Sequence, residues 1–257
     1  MLALVSPAKK LDFESEWMGN KHSQPALIDQ AKALVDVTKS LSQSQIKSLM
    51  KLSDNLAELN YKRYQNFSTP FDESNARPAA YAFRGDTYVG LDADTLTPED
   101  MDFAQGQLRI LSGLYGLLRP LDLMQPYRLE MGTKLSNPRG EDLYDFWGDL
   151  LTKACNDSVK DHKDNSVICL ASNEYIKAIQ PKDLDGKFIT CHFKEMKGGV
   201  PKTIGLFAKR ARGMMARYMI QSRIETPEEL KNFDVDGYAF VDGLSDETNY
   251  VFVRDQE

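Results

Sequence analysis

Residues 203–224 read TIGLFAKRARGMMARYMIQSRI. Thr203–Phe207 is apolar and β-branched around one glycine, which predicts a short strand. The rest predicts a helix over Ala208–Ile224, entered directly from that strand. At about 100° per residue, Ala208, Ala211, Met214, Met215, Tyr218 and Met219 share one side and face a core. Lys209, Arg210, Arg212, Arg217 and Arg223 share the other, within an arc of about 160°. Gly213 falls inside that arc, where a missing side chain leaves room for a phosphate or a base. An acid-free basic face fits a solvated helix surface or one that contacts phosphates, and both readings stand at this point.

Outward from this unit, strands and helices interleave. Leu2–Val5 predicts a buried strand stopped by Pro7. Ala26–Lys39 predicts an amphipathic helix, and Ser42 with Gln45, then Ser53, cap two more that end near Phe67. Tyr81–Leu91, split by Gly85-Asp86, predicts a hairpin or strand pair. Thr97-Pro98-Glu99-Asp100 opens a helix that should run to Leu111 before Gly113 and Gly116 break it. Glu141–His162 is again helical. Val167–Leu170 and Phe188–Phe193 predict strands, Thr226-Pro227-Glu228-Glu229 caps a helix, and Tyr238–Val241 with Tyr250–Val253 closes the chain as a hairpin. With no regular βαβ rhythm, the fold class expected is α+β, an irregular mixed α/β arrangement whose mixed sheet is surrounded by helices. No repeat or linker divides the chain, so one domain over residues 1–257 is expected.

The chain has 257 residues, 42% hydrophobic and 27% charged, which suits a soluble protein with a sizeable core. No apolar run is long enough to span a bilayer, and the apolar start ends at Ser6-Pro7, too soon for a signal peptide. A cytoplasmic location and no membrane partner are expected. Cys155, Cys169 and Cys191 are odd in number and far apart, unlike a disulfide framework. The histidines are His22, His162 and His192, with no Cys-x-x-Cys or His-x-x-x-His spacing, so no metal and no cofactor are expected. The net charge of −6 counts against a nucleic-acid partner for the chain as a whole. Its distribution does not. Between Glu195 and Glu225 lie Lys197, Lys202, Lys209, Arg210, Arg212, Arg217 and Arg223 and no acid, so one basic surface sits on an acidic body.

Three further segments bear on chemistry. Leu108–Pro120, with Gly113 and Gly116 between two apolar runs and Arg109 and Arg119 at its ends, is similar to a helix–hairpin–helix. In that motif a glycine turn offers backbone N–H groups to a DNA phosphate. An ordinary helix-to-helix turn with a glycine cap fits the same residues. Ser6-Pro7-Ala8-Lys9, at a strand end, reads as an anion site without the glycines of a phosphate loop. Arg128 and Glu130 lie two apart and point the same way on an extended strand. Glu130 is then either a general base or the partner of a buried cation. No nucleophile–histidine–acid set is evident.

Taken together, Ser6-Pro7-Ala8-Lys9-x-Leu11-Asp12, the block from Leu111 to Gly132 and Lys209-Arg210-Ala211-Arg212-Gly213-x-Met215-Ala216-Arg217 resemble the signatures of the YaaA family. Phe146-Trp147-Gly148-Asp149 and Leu170-Ala171-Ser172-x-Glu174-Tyr175 fit it as well. The resemblance implies a cytosolic bacterial protein that protects against hydrogen peroxide and limits free intracellular iron. It also implies a positively charged cleft that contains a helix–hairpin–helix and binds DNA, duplex or distorted. Lys9, Arg109, Gly113, Gly116, Arg119 and Arg128 are the expected contacts from the first part of the chain. Lys202, Lys209, Arg210, Arg212 and Arg217 are those from the basic segment. The alternative is an enzyme acting on a nucleotide or nucleobase-like small molecule, with Lys9, Arg128 and Glu130 in the cleft and Glu130 catalytic. A long basic groove favours the first reading and a pocket of small-molecule size the second. The two coexist if the cleft takes an extruded base.

Overall fold

The computed structural model describes residues 1–15, 17, 19 and 21–255. One eight-stranded sheet organises it, built from Leu2–Val5 (β1), Leu108–Ser112 (β2), Gly116–Leu118 (β3), Val167–Leu170 (β4), Phe188–Lys197 (β5), Val200–Lys202 (β6), Tyr238–Phe240 (β7) and Asn249–Asp255 (β8). The spatial order is β7-β8-β5-β4-β1-β2-β3, with β6 paired to β5. The five inner strands, β8, β5, β4, β1 and β2, are mutually parallel, and the pairings to β3, β6 and β7 are antiparallel. β1, β2 and β4 are buried at every position, as parallel strands covered on both faces must be. The chain passes from β1 to β2 on one side, then returns to β4 on the other and continues outward through β5 and β8. The direction of winding therefore reverses between β1 and β4, and in such sheets the crevice beyond the carboxyl ends at the reversal is where ligands bind.

The longer helices are Ile28–Lys39 (α1), Gln43–Met50 (α2), Asp54–Asn66 (α3), Asp86–Leu91 (α4), Pro98–Gln107 (α5), Leu143–Trp147 (α6), Leu150–Val159 (α7) and Gly205–Gln221 (α8). The cap signals act as expected. Ser42 with Gln45, and Thr97 with Asp100, form capping boxes, and Ser53 accepts from the Leu56 N–H.

Several expectations are corrected. The helix that starts at Pro98 ends at Gln107, and the next residues turn back as the β2–β3 hairpin. The backbone groups of β2 are claimed by the ladder to β1, a partner that lies far away in sequence. There is accordingly no helix–hairpin–helix over Leu108–Leu118. Gly116 serves the turn, with φ of +72°, and a side chain there would meet Trp147 at 2.7 Å. Gly113 accepts a hydrogen bond from Trp147 Nε1 on its carbonyl at 3.1 Å. Both glycines are buried and face protein, not a phosphate. The expected strand at Thr203–Phe207 is also absent, since β6 stops at Lys202 and α8 begins at Gly205. Tyr81–Leu91 is not a hairpin. Phe83–Arg84 pairs with Lys10–Leu11, and Gly85, at φ +145°, turns the chain into α4. Glu141–His162 is broken into α6 and α7 at Gly148, whose φ is +50°.

α4 and α8 approach each other backbone to backbone. A Cβ on Gly90 would lie 2.8 Å from Met214 N and collide with Arg210 O, and one on Gly213 would lie 2.7 Å from Leu91 N and collide with Thr87 O. Gly213 thus serves helix contact, which corrects its expected role beside a ligand. The basic arc is divided by the same packing. Arg217 donates to Leu91 O at 3.1 Å and Asp92 O at 2.7 Å, closing the carboxyl end of α4. Arg223 pairs with Asp100 at 2.7 Å.

Gly213→Ala is expected to cost more than about 2 kcal/mol in urea unfolding, because two backbones must part. Gly106→Ala, at an exposed α5 position where a Cβ meets nothing within 4 Å, is expected to gain about 0.5 kcal/mol or more. Equal midpoints for the two variants would refute the contact as a structural constraint.

Candidate functional site

β1 ends at Val5 and β4 at Leu170, and the crevice between them is bridged by two serines. Ser6 Oγ accepts from the Ser172 N–H at 2.8 Å and donates to Ser172 Oγ at 3.3 Å. From α4, Tyr88 Oη donates to Ser6 O at 3.0 Å. Beside these residues lies a cavity of about 500 Å³. Its lining brings together Lys9 and Lys10 from the loop after β1, Arg84 and Asp86 around the start of α4, Arg128 and Glu130 from an extended segment, Glu174, and Lys209 and Arg212 from α8. Six cations therefore face three carboxylates. Tyr88, Tyr127 and Tyr175 supply aromatic wall.

The segment singled out in the sequence does converge. Glu130 Oε2 is 2.8 Å from Lys9 Nζ and its Oε1 is 3.5 Å from Arg128 Nη2. Arg128 Nε is buried and has no hydrogen-bond partner among the described residues, while the Arg128 carbonyl accepts from Tyr64 Oη at 2.6 Å. Glu174 Oε1 accepts from the Gly132 N–H at 3.0 Å. Arg84 pairs with Asp12 and Asp94, each at 3.2 Å.

Lys10, Lys209 and Arg212 have no carboxylate partner among the described residues. Lys10 and Lys209 are exposed and solvated, so this costs them little. Arg212 is half-buried, and burial lowers its pKa while the thiols Cys169 and Cys191 act in the opposite direction. Its five donors have no acceptor among the described residues and open on the cavity, where water or an anion can satisfy them. The cavity is the place from which that anion can come.

Other expected contacts lie elsewhere. Arg109 is buried, its guanidinium donating to Gln105 O, Gly106 O and Leu108 O at 2.9, 3.2 and 2.9 Å, and burial pulls its pKa down to about 10. It closes the end of α5 and is unavailable to DNA, a correction. Arg119 binds the buried Asp122 at 2.9 Å, and Arg217 is held against the end of α4. Lys202 and Arg210 are exposed but do not line the cavity. The sequence reading misses Lys10, Arg84, Asp86 and Tyr88. Arg84-Gly85-Asp86 carries a usable signal, a glycine and an acid at a helix start, but the same residues also suit a hairpin turn. The three cysteines are buried and unpaired, and burial pushes Cys155 up to about 12 and raises Cys169 and Cys191. Among the described residues, no group of three or more His, Cys, Asp or Glu is arranged to hold a metal ion.

A family model described as "Peroxide stress protein YaaA" matches residues 1–244. Among curated relatives, a UPF0246 protein of Alteromonas mediterranea is 55% identical over 257 residues, covering 100% of this chain and 99% of the relative. UPF0246 proteins of a Shewanella species (strain MR-4) and of Hahella chejuensis are each 52% identical, the first covering 100% of both chains, the second 99% of this chain and 100% of its own.

Arg212→Met is expected to raise unfolding stability by about 1 kcal/mol, since it removes an unpaired charge and keeps the packing of the stem. Arg217→Met should lower it, by freeing the carbonyls at the end of α4. Paired denaturation curves check both, and a loss of stability in Arg212→Met would mean that the guanidinium is satisfied within the protein.

Proposed function

Given that this chain belongs to the peroxide stress protein YaaA family, we propose that it binds DNA during peroxide stress and holds DNA phosphate at the cationic cavity. The supporting observation is the convergence of six cations on one cavity, with Arg212 lacking any anionic partner among the described residues. Contacts of this kind go to phosphate and position the nucleic acid without reading its bases. Lys9 and Lys209 stand at the exposed side of the cavity, and Arg210 continues the basic surface along α8.

The cysteines take no direct part. A thiolate is the form that peroxide oxidises, and buried thiols with raised pKa stay protonated. A second reading keeps its own support. The cavity volume falls in the range of small-molecule sites, and Glu130 stands between two cations where an acid–base group would act. An enzyme acting on a nucleotide-like molecule remains the alternative, and turnover of such a molecule by this protein with loss in Glu130→Gln would favour it.

For the DNA reading, fluorescence anisotropy with a labelled duplex across a salt series is the direct test. Lys209→Ala and Arg210→Ala should each flatten the log–log salt dependence by about 0.9. Wild-type slopes in both variants would remove α8 from the interface. As a further expectation, native protein should resist alkylation by iodoacetamide at Cys155, Cys169 and Cys191 until denaturant is added; rapid native modification read by mass spectrometry would reopen a thiol role.

A further inference from the structure

We infer that the cavity is a seat for a phosphomonoester, the terminal phosphate of a broken DNA strand or of a nucleotide, in preference to the diester of an intact backbone. This seat rests on the DNA reading of the same site and specifies its ligand.

Charge favours the monoester. Of the three lining carboxylates, Glu130 is already engaged by Lys9 and Arg128 and Glu174 by the Gly132 N–H, while Asp86 has no ion pair among the described residues and offsets one cation. Lys10, Lys209 and Arg212 remain without a carboxylate among the described residues. A diester carries one negative charge, whereas a monoester carries about −1.5 to −2 at neutral pH and offers three strong acceptor oxygens. The excess of cations fits the more highly charged group.

A hydrogen-bond chain at the floor of the crevice favours it as well. Ser6 accepts from the Ser172 N–H and gives its own proton to Ser172 Oγ. The Ser172 hydroxyl proton is then left over, on a residue that lines the cavity, and a phosphate oxygen is a suitable acceptor for it.

The path open to a strand is also unsuited to a continuing diester. Past Lys10 and Arg84 the cavity adjoins a second hollow of about 780 Å³, with which it shares these residues and Asp86. That hollow also presents Asp12, Glu14, Asp92 and Asp94. Asp12 and Asp94 pair with Arg84, Asp12 also lies 3.8 Å from Arg77 and Asp92 lies 3.6 Å from Arg217, so Glu14 and Asp86 are the carboxylates there with no ion pair among the described residues. A phosphodiester chain continuing through it would pass these two unpaired carboxylates, and like charge is repulsive. A phosphate at the end of a strand needs no such continuation. About 500 Å³ accommodates one nucleotide against the tyrosine wall, and not a duplex. Oxidative scission supplies such ends, because destruction of one deoxyribose leaves phosphate on the nucleotides flanking the gap.

The test uses the full chain and three labelled duplexes: intact, gapped with hydroxyl ends, and gapped with phosphate ends. Nucleoside 5′-monophosphate, the nucleoside and inorganic phosphate serve as competitors. The phosphorylated gap should bind about tenfold more tightly than the hydroxyl gap. Lys209→Ala and Arg212→Met should erase that ratio, while Arg210→Ala should weaken all three duplexes together. Equal affinity for the three duplexes, undisturbed by the monophosphate, would overturn the monoester seat and leave DNA binding intact. Arg212-dependent binding of the monophosphate with no binding of any duplex would support the seat, assign it to free nucleotides and end the DNA reading. Failure of every ligand to bind would end both.

Discussion

The contact of α4 with α8 through Gly90 and Gly213 sets the spacing on which the rest of the site depends. Neither residue has a side chain, so the two backbones touch, and the groups on each helix take their positions from that contact. α4 brings Tyr88 to the carbonyl of Ser6 at the end of β1. α8 carries Lys209 and Arg212 to the same cavity, and Arg217 closes the end of α4. A wider crossing would withdraw the cations from the strand ends and leave Leu91 and Asp92 without their donor. The helix pair and the switch point of the sheet are thus one construction.

Within this construction, buried charge is handled in two ways. Glu195 is almost fully buried, yet it accepts from Arg254 Nε at 2.9 Å and from the Tyr238 hydroxyl, and Arg254 also pairs with Asp236. The Arg254 guanidinium is further covered by the rings of Phe207 and Tyr238. Asp122 and Arg119 complete each other in the same manner. Against these satisfied networks, Arg212 is half-buried and has no acceptor among the described residues. Proteins break the rule of local satisfaction chiefly where a ligand will restore it, at some cost in stability. The contrast inside one molecule gives Arg212 its weight.

The parts of this structure legible in sequence are those fixed locally. Ser42, Ser53 and Thr97 cap the helices they precede because a cap needs only the next three residues. β1 and β4 are legible as continuous apolar runs. Two local facts, a strand-end loop and the i, i+2 geometry of an extended segment, point Lys9, Arg128 and Glu130 toward one cleft, and the three do meet. The misreadings share one cause, a distant partner. Leu108–Ser112 continues a helical pattern, but the ladder to β1 draws it into the sheet. Gly213 in a basic arc admits a ligand or a helix, and the helix that decides the matter, α4, itself reads as a hairpin. The parallel order of the sheet depends on crossovers of many residues, for which no short motif exists.

The acidic character of the whole protein then becomes part of how the site works. A cationic cavity on a uniformly basic protein would hold any polyanion loosely and in many orientations. Here six cations gather at one crevice, beside the carboxylates of the adjoining hollow. Screening limits their reach to about 8 Å at physiological salt, close to the scale of a single phosphate contact. On the proposed reading, an approaching phosphate would be attracted at that point and would meet carboxylates beside it, a pattern suited to discriminating among phosphates by charge. That is a property of position, not of total charge, and it lets a chain with a net charge of −6 gather six cations at the carboxyl ends of its strands.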